Sequence, residues 1–259
     1  MGTANSYTGS GGSWSGAGDD LMDWLDGLPD GPSGDPQRIG PETLPGSVLR
    51  GVARALSGTG GQGGGARGDG GRRGSGGGSG GPGASGGGRT GRAAGRVGGR
   101  AAAGVAAFRA GDAEALRALG LDPGELNALA SDYAKAARIA EAAAEGAPTS
   151  IQDEELRKAA AATAIWGLQQ PEPPAPADLV RRFVEEYLYR VITVEFGSRL
   201  RDGSADGGSA LPTERTLRST IRGMLRNLPV TATGSDHVDL GNAIESTHQR
   251  VLDIWAAGE

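Results

Sequence analysis

The chain has 259 residues and a net charge of −5, and 49 of its residues are glycine while none is cysteine. The absence of cysteine excludes disulfides, thiolate metal ligands and a cysteine nucleophile. No apolar run approaches the roughly 18 residues that a membrane-spanning helix needs, and no secretory signal is visible at the N-terminus, so these features predict a cytoplasmic protein.

The charge is unevenly distributed and divides the chain into three predicted units. Residues 1–49, with seven acidic side chains and one arginine, are predicted to be an acidic flexible head. Residues 50–110 carry ten arginines and one aspartate, and 24 of the 47 residues from 58 to 104 are glycine. A stretch so poor in large apolar side chains cannot offset its ordering entropy, so we predict a disordered Gly/Arg-rich linker. Residues 111–259 are acidic again and form the third unit.

The head contains one predicted element, a short amphipathic helix over residues 19–28. Asp19 or Asp20 can cap its N-terminus. Its apolar side chains recur at i, i+3, i+4 and i+7 and therefore share one face: Leu21, Trp24, Leu25 and Leu28. Because two turns of helix are marginal in water, this face should dock onto another surface. A groove on a partner protein and the body of this chain are both open.

The linker carries arginines that can neutralise phosphates, as in disordered nucleic-acid-binding segments. These are Arg67, Arg72, Arg73, Arg89, Arg92, Arg96 and Arg100. No aromatic residue is interleaved with them for base stacking, so a flexible tether is the favoured interpretation and nucleic-acid binding is the alternative. At the two ends of the tract, residues 47–56 and 101–108 are predicted to form short helices.

The body is predicted to be all-α, a C-terminal bundle of about five main helices with shorter ones between them. Asp112 should cap a short segment. Asp122, with proline at the next position, should open a helix that reaches about residue 146. Its inward-facing residues should be Leu126, Leu129, Tyr133, Ala137 and Ala140. Apolar periodicity predicts four further helices, over residues 151–169, 178–200, 213–228 and 236–257.

Side chains with catalytic potential are few, which predicts a protein that is not an enzyme and uses no cofactor. The only histidines, His237 and His248, lie eleven residues apart without acidic residues at ligand spacing, so no metal site is predicted. Glu185 and Glu186 are adjacent on a predicted helix and are interpreted as solvated charges. Residues 58–63 fit G-x-G-x-x-G, but a tract that is half glycine produces this match by chance.

The N-terminus is a candidate for modification. Gly2 is small, so removal of the initiator methionine is expected, and this would expose the glycine amine. With Ser6 it also fits the N-myristoylation pattern, which requires a eukaryotic transferase. The strong preference for arginine over lysine is more typical of GC-rich bacterial coding.

Three short motifs give the chain a characteristic layout. The first is Met-Gly-Thr-Ala-Asn-Ser-Tyr at residues 1–7, followed by a glycine- and serine-rich stretch. The second is the arginine- and glycine-rich segment at residues 89–96. The third is Phe-Val-Glu-Glu-Tyr-Leu-Tyr-Arg at residues 183–190, followed by Phe-Gly at 196–197. In this order they resemble the QatB family, a component of the bacterial Qat anti-phage defence systems.

The resemblance implies three partners from one operon: an enzyme similar to QueC, an ATPase and a nuclease similar to TatD. QueC-type enzymes use ATP to activate a 7-deazaguanine carboxylic acid and then join it to an amine. The resemblance therefore implies that Gly2 is the modified residue, and that the apolar face of residues 19–28 docks the head onto a partner. The expected function is a non-enzymatic defence component that binds partner proteins.

Overall fold

The computed structural model describes residues 44–57, 86–146, 151–202, 210–232 and 234–258. Every regular element in these residues is an α-helix and none is a strand, so the prediction of an all-α fold is confirmed. In chain order the helices are α1 (Gly46–Ser57), α2 (Gly86–Ala110), α3 (Ala113–Ala118), α4 (Pro123–Ala128), α5 (Asp132–Ala143), α6 (Ile151–Gln169), α7 (Pro176–Asp202), α8 (Ala210–Asn227) and α9 (His237–Ala257).

Several helices begin at the capping residues that the sequence predicted. Asp112 Oδ1 accepts hydrogen bonds from the backbone N–H groups of Glu114 and Ala115, at 3.1 and 2.9 Å. Asp122 Oδ1 accepts one from the N–H of Glu125 at 2.9 Å, and proline stands at the start of α4. These caps satisfy N–H groups that have no partner inside the helix, so the local sequence determines where α3 and α4 begin.

The helix predicted to run from residue 122 to about 146 is two helices. Leu129 has an extended backbone with ψ 130°, and the Ser131 hydroxyl accepts a hydrogen bond from the N–H of Ala134 at 3.2 Å, so a new helix begins there. The break changes which face of α5 points inward. Tyr133, predicted to be inside, is 70% exposed, and Ala137 is exposed as well. The residues that α5 buries are Ala136, Ile139, Ala140, Ala142 and Ala143.

The prediction of a disordered linker is wrong for the described residues within 50–110. Residues 50–57 belong to α1, whose buried side chains include Val52 and Leu56. Residues 86–110 form α2, which lies at the centre of the domain against α5, α6, α7 and α9. The unit boundaries predicted at residues 49 and 110 are therefore wrong as well, because both helices belong to the packed domain.

The close approach of α2 to α9 explains how a glycine-rich helix can be buried. A Cβ atom on Gly95 would lie 2.7 Å from the carbonyl oxygen of Gly241, and a Cβ on Gly99 would overlap the carbonyl oxygen of His237. Only residues without a side chain allow two helix backbones to come so near. The disorder prediction counted large apolar side chains as the source of burial, whereas α2 buries its own backbone and small side chains.

The rest of the core is built from large side chains of α7 and α9. Phe183, Tyr187 and Phe196 of α7 are at most 1% exposed, and Trp255 of α9 is fully buried. The β-branched run at residues 191–194 is helical, as the periodicity on both sides of it indicated. The large side chains of α7 therefore fill the same core in which α2 makes close backbone contacts.

Two arginines of α2 hold the C-terminal ends of neighbouring helices. Arg100 Nη2 donates hydrogen bonds to the carbonyl oxygens of Leu119 and Ala142, at 3.0 and 3.1 Å, where α3 and α5 end. Arg109 Nη2 donates to the carbonyl oxygen of Gln170 at 2.8 Å, just after α6. Helix C-termini carry unpaired carbonyls and partial negative charge, so these arginines stabilise the fold.

Candidate functional site

Four arginines form one stripe along α8. Arg215, Arg218, Arg222 and Arg226 follow each other at intervals of three or four residues, which places them on one side of the helix. Glu214 is the single acidic residue between the bounds of α8. The helix packs chiefly on α7, so the stripe forms a basic surface at the α7–α8 boundary.

Two carboxylates of α7 face this stripe. Glu185 Oε1 accepts a hydrogen bond from Arg222 Nη2 at 2.8 Å, and Glu185 Oε2 accepts one from Arg222 Nε at 3.3 Å. Glu186 Oε1 lies 3.3 Å from Arg218 Nη1 and 2.7 Å from Arg182 Nη2. The two carboxylates and their arginines therefore form an ion-pair network that joins α7 to α8.

The interpretation of Glu185 and Glu186 as solvated charges is wrong. Their exposed fractions are 6% and 2%. A buried carboxylate is costly unless it is paired and hydrogen-bonded, and the arginine stripe supplies those partners. The hydrogen bond to Glu185, together with the charge of its carboxylate, raises the pKa of Arg222. The paired charges link α7 to α8.

An aromatic contact extends the network towards the N-terminal end of α8. The guanidinium carbon of Arg218 lies 4.2 Å from the centroid of the Tyr189 ring, a cation–π distance. The Tyr189 hydroxyl donates a hydrogen bond to Glu214 Oε2 at 3.3 Å. Burial of the ring, followed by the negative charge of Glu214, raises the pKa of Tyr189. Arg218 is therefore held on two sides and is not a free cation.

Beside the network lies an open groove of about 560 Å³, which we call the arginine groove. It is lined by Trp166, Asp178, Arg181, Arg182, Glu185, Arg222, Leu225 and Arg226. Four arginines thus face two carboxylates, so the groove has a positive excess. Arg226 is exposed and makes no hydrogen bond or ion pair to any residue that the structure describes.

The chemistry of the lining residues suits binding of an acidic group. Arginine presents several N–H donors in a plane and pairs with carboxylates through two parallel hydrogen bonds. Its guanidinium is permanently charged, so it does not act as a proton donor or acceptor near neutral pH. Half-buried Trp166 adds an aromatic surface to the groove. The geometry indicates a binding surface that recognises negative charge next to an apolar group.

A second, smaller basic surface lies on α2. Arg92 and Arg96 are exposed, and with His237 and Val238 at the start of α9 they line a groove of about 310 Å³. Arg92 Nε lies 3.8 Å from Glu245 Oε1, which offsets part of its charge. This face is the described part of the arginine tract that remains open to solvent.

The seven arginines of the predicted nucleic-acid surface fall into three groups, which differ in whether the structure describes their side chains and in how exposed these are. Arg67, Arg72 and Arg73 lie outside the described residues. Arg89 lies in α2, but its side chain is outside them too, whereas Arg92 and Arg96 are exposed neighbours on one helix face. Arg100 is partly buried and bonded to two carbonyl oxygens. The prediction that Arg100 belongs to a nucleic-acid-binding surface is wrong, because its guanidinium is bonded to carbonyl oxygens at the ends of α3 and α5.

The residues predicted for modification and docking lie outside the part of the chain that the structure describes. These are Gly2, Leu21, Trp24, Leu25 and Leu28. The first described residue is Leu44, whose side chain is buried and whose N–H donates a hydrogen bond to Thr220 Oγ1 at 3.3 Å. The chain that follows the head therefore contacts the domain at Thr220 of α8.

Buried polar atoms gather where α2, α7 and α9 meet. His248 of α9 is fully buried, and its ring centroid lies 5.8 Å from that of Tyr187. Neither ring nitrogen of His248 has a hydrogen-bond partner among the described residues. Burial lowers the pKa of His248 to about 4, and burial together with the charge of Asp153 raises the pKa of Tyr187. Both groups are therefore neutral at pH 7.

Comparison with known proteins leaves the site as the main guide to function. No family model, no curated protein and no solved structure matches this chain. In the described ranges, no three histidine, aspartate or glutamate side chains lie close enough together to hold a metal ion. None of the helices in those ranges is long and apolar enough to cross a membrane.

Proposed function

We propose that this protein is a non-enzymatic, protein-binding component of a bacterial anti-phage defence system, as the resemblance to the QatB family implies. The observation that carries the protein-binding role is the arginine groove. It places Arg226, which is exposed and has no partner among the described residues, beside three further arginines. An acidic segment of a partner is the ligand that this charge pattern favours.

The proposal also assigns the N-terminal part of the chain a role in presentation. Buried Leu44 fixes one point of the chain on α8. Gly2 lies 42 residues before it and is therefore able to reach at most about 140 Å from that point. This length is enough for the amine of Gly2 to enter the active site of another protein. A QueC-like enzyme of the same operon would be that protein, and a cytoplasmic location follows from the same assignment.

The proposed modification is amide formation at the N-terminus. After methionine removal, the amine of Gly2 attacks the ATP-activated carboxyl carbon of a 7-deazaguanine carboxylic acid. The carbon–nitrogen bond forms, the activating group leaves and the amine gives up a proton. In this reaction the present chain is the substrate and the QueC-like enzyme is the catalyst.

Intact mass spectrometry tests the modification. The chain is purified after expression with its whole operon and, as a matched control, after expression with the gene for the QueC-like enzyme disrupted. The expected result is an added mass on the N-terminal peptide in the first sample alone, lost again in the Gly2→Pro variant. An unmodified Gly2 in the complete operon would contradict the proposal.

Nucleic-acid binding by the arginine tract is the second candidate, and the exposure of Arg92 and Arg96 favours it. The full chain is needed for its test, because α2 is part of the packed domain. If the tract binds phosphates, affinity for a single-stranded oligonucleotide should fall steeply with salt. Replacing Arg92 and Arg96 with alanine should weaken binding and reduce the salt slope, while Arg226→Ala should leave both unchanged.

A further inference from the structure

We infer that the arginine groove is the resting place of this chain's own acidic segment, residues 19–28. The inference goes beyond the proposed function, which places the apolar face of that segment on a partner. In the resting protein the same face lies instead on the chain's own domain, and a partner must displace it. Three observations carry this assignment: where the head joins the domain, the charge of the two elements, and the lining of the groove.

The first observation is the attachment of the head. Leu44 is bonded to Thr220, which lies two residues before Arg222 and six before Arg226 along α8. Six residues of helix span about 9 Å. The 16 steps from Leu28 to Leu44 reach at most about 55 Å. The connecting chain is therefore long enough for the segment to reach the groove.

The second observation is charge complementarity. Residues 19–30 contain five aspartates and no basic residue. The groove holds Arg181, Arg182, Arg222 and Arg226. Glu185 pairs with Arg182 and Arg222, and Asp178 pairs with Arg181 at 3.3 Å, so Arg226 carries the charge with least compensation. Arg226 is accordingly the residue that an incoming aspartate should meet first.

The third observation is the mixed polar and apolar lining. Half-buried Trp166 and buried Leu225 both line the groove. The aliphatic stems of the arginines extend that apolar surface while their charged ends stay at the rim. The segment carries both kinds of side chain that this lining accepts, since Trp24 and Leu25 are apolar and Asp20 and Asp23 are acidic. Trp24 also provides a ring on which an arginine can stack.

The tether makes a weak contact sufficient. A segment linked through a short connection experiences an effective concentration in the millimolar range, so occupancy requires only modest intrinsic affinity. A second copy of the chain offers the same segment at a far lower concentration in dilute solution. The observations therefore favour the segment of the same molecule as the occupant.

Disulfide trapping in the purified full chain tests the inference, because the natural sequence has no cysteine that could interfere. One cysteine replaces Gly18, just before the segment. The other replaces Gly223, an exposed residue of α8 next to Arg226, where an added Cβ meets nothing within 4 Å. The matched control pairs Gly18→Cys with Glu141→Cys, an exposed position on α5, which packs against α2 and α6.

The expected result is an effective concentration about tenfold higher for the groove pair than for the α5 pair, measured in a glutathione redox buffer. Arg226→Glu or Trp24→Ala should reduce the groove value towards the α5 value. Combining Arg226→Glu with Asp20→Lys should restore part of it. Circular dichroism of each variant verifies that the domain is folded. Arg226 is exposed, so its substitution should leave the melting temperature unchanged.

Three outcomes would overturn the inference. The first is an equal effective concentration for the two cysteine pairs, which would leave the segment to a partner protein. The second is a disulfide that forms between chains and increases with protein concentration, which would make a second copy the occupant. The third is an effective concentration for the groove pair that neither Arg226→Glu nor Trp24→Ala changes. The test uses no partner, so its failure is separate from a failure to find modified Gly2.

Discussion

The helices α2 and α7 both run through the centre of the domain, but they fill it with opposite kinds of residue. α7 buries Phe183, Tyr187, Leu188 and Phe196, and α2 buries alanines, valines and glycines. On α7 the free energy comes from large apolar area removed from water. On α2 it comes from close contact between helix backbones, with many small dispersion contacts per unit length. A core element therefore need not be rich in large side chains if its neighbour comes close enough.

The two helices also use arginine differently. Arg100 and Arg109 of α2 donate to carbonyl oxygens at helix ends. Arg182 of α7 pairs with buried carboxylates of its own helix. Both uses stabilise the fold, and neither is a sign of nucleic-acid binding. What distinguishes a candidate binding residue is exposure without a partner, as at Arg226.

The largest effect should come from truncating a large buried side chain of α7. Phe183→Ala should lower the free energy of unfolding by about 3–5 kcal/mol, because it removes a fully buried ring and leaves a cavity. Chemical denaturation measures the loss. A Cβ on Gly98 would lie 2.6 Å from the Phe183 ring, so Gly98→Ala should cost less in the Phe183→Ala background than in the natural chain. Equal costs in both backgrounds would show that α2 and α7 are not coupled there.

The close packing of α2 on α9 is tested by a glycine-to-alanine substitution at Gly99, with the same substitution at Gly223 as the control. Gly99→Ala should cost about 3 kcal/mol, because the new methyl group overlaps the α9 backbone, which cannot move as a side chain can. Gly223→Ala on α8 meets nothing within 4 Å and should stabilise the protein by about 0.5–1 kcal/mol. Thermal melting of the two variants gives the comparison. Opposite signs are expected, and stabilisation by Gly99→Ala would refute close packing of α2 on α9.

The junction of the two helices with α9 should make the protein sensitive to acid. The unfolded chain binds a proton at His248 near pH 6.5 and the folded chain only near pH 4. Stability from this group is therefore complete above pH 6.5 and falls by roughly 3 kcal/mol as the pH drops to 4. Unfolding free energies measured across this range should show the slope. His248→Leu should flatten it, and His237→Leu, on the exposed start of α9, should not.

The smallest effect should separate the structural arginines of α2 from the exposed ones. Arg100→Met should cost about 1.5 kcal/mol, because two charge-assisted hydrogen bonds to carbonyl oxygens are lost. Arg96→Met, one turn earlier on the exposed face, should change the free energy of unfolding by less than about 0.5 kcal/mol. Denaturation midpoints of the two variants, measured under the same conditions, give the two losses of stability. Equal values for the two variants would mean that Arg100 is not needed to hold α3 and α5.

Local signals in the sequence were enough for much of the fold. The helices at residues 46–57 and 151–169 were predicted nearly to the residue, and the caps at Asp112 and Asp122 lie where the sequence indicated. These features depend on a side chain and the backbone within a few positions of it. For the same reason the all-α class required no knowledge of long-range contacts.

The candidate site could not be predicted in this way. Glu185 and Glu186 look like solvated charges until Arg218 and Arg222, more than 30 residues later, are placed beside them. The groove exists because α7 and α8 pack together, and Trp166 reaches it from a third helix. One signal for α2 was present: Gly91, Gly95 and Gly99 recur every four residues, in step with the arginines that follow each of them. That spacing gives a helix one small face and one charged face.

The sequence by itself determined the helical class, most helix starts and the charge of each segment, because these follow from neighbouring residues. The tertiary structure decided which residues are inside. Glycine is disfavoured in a helix that stands alone and favourable where a second backbone lies against it, and a carboxylate can be buried only where an arginine meets it. Both conditions depend on residues far apart in the chain. The Gly/Arg-rich stretch at residues 86–110 therefore becomes a core helix only in the folded domain.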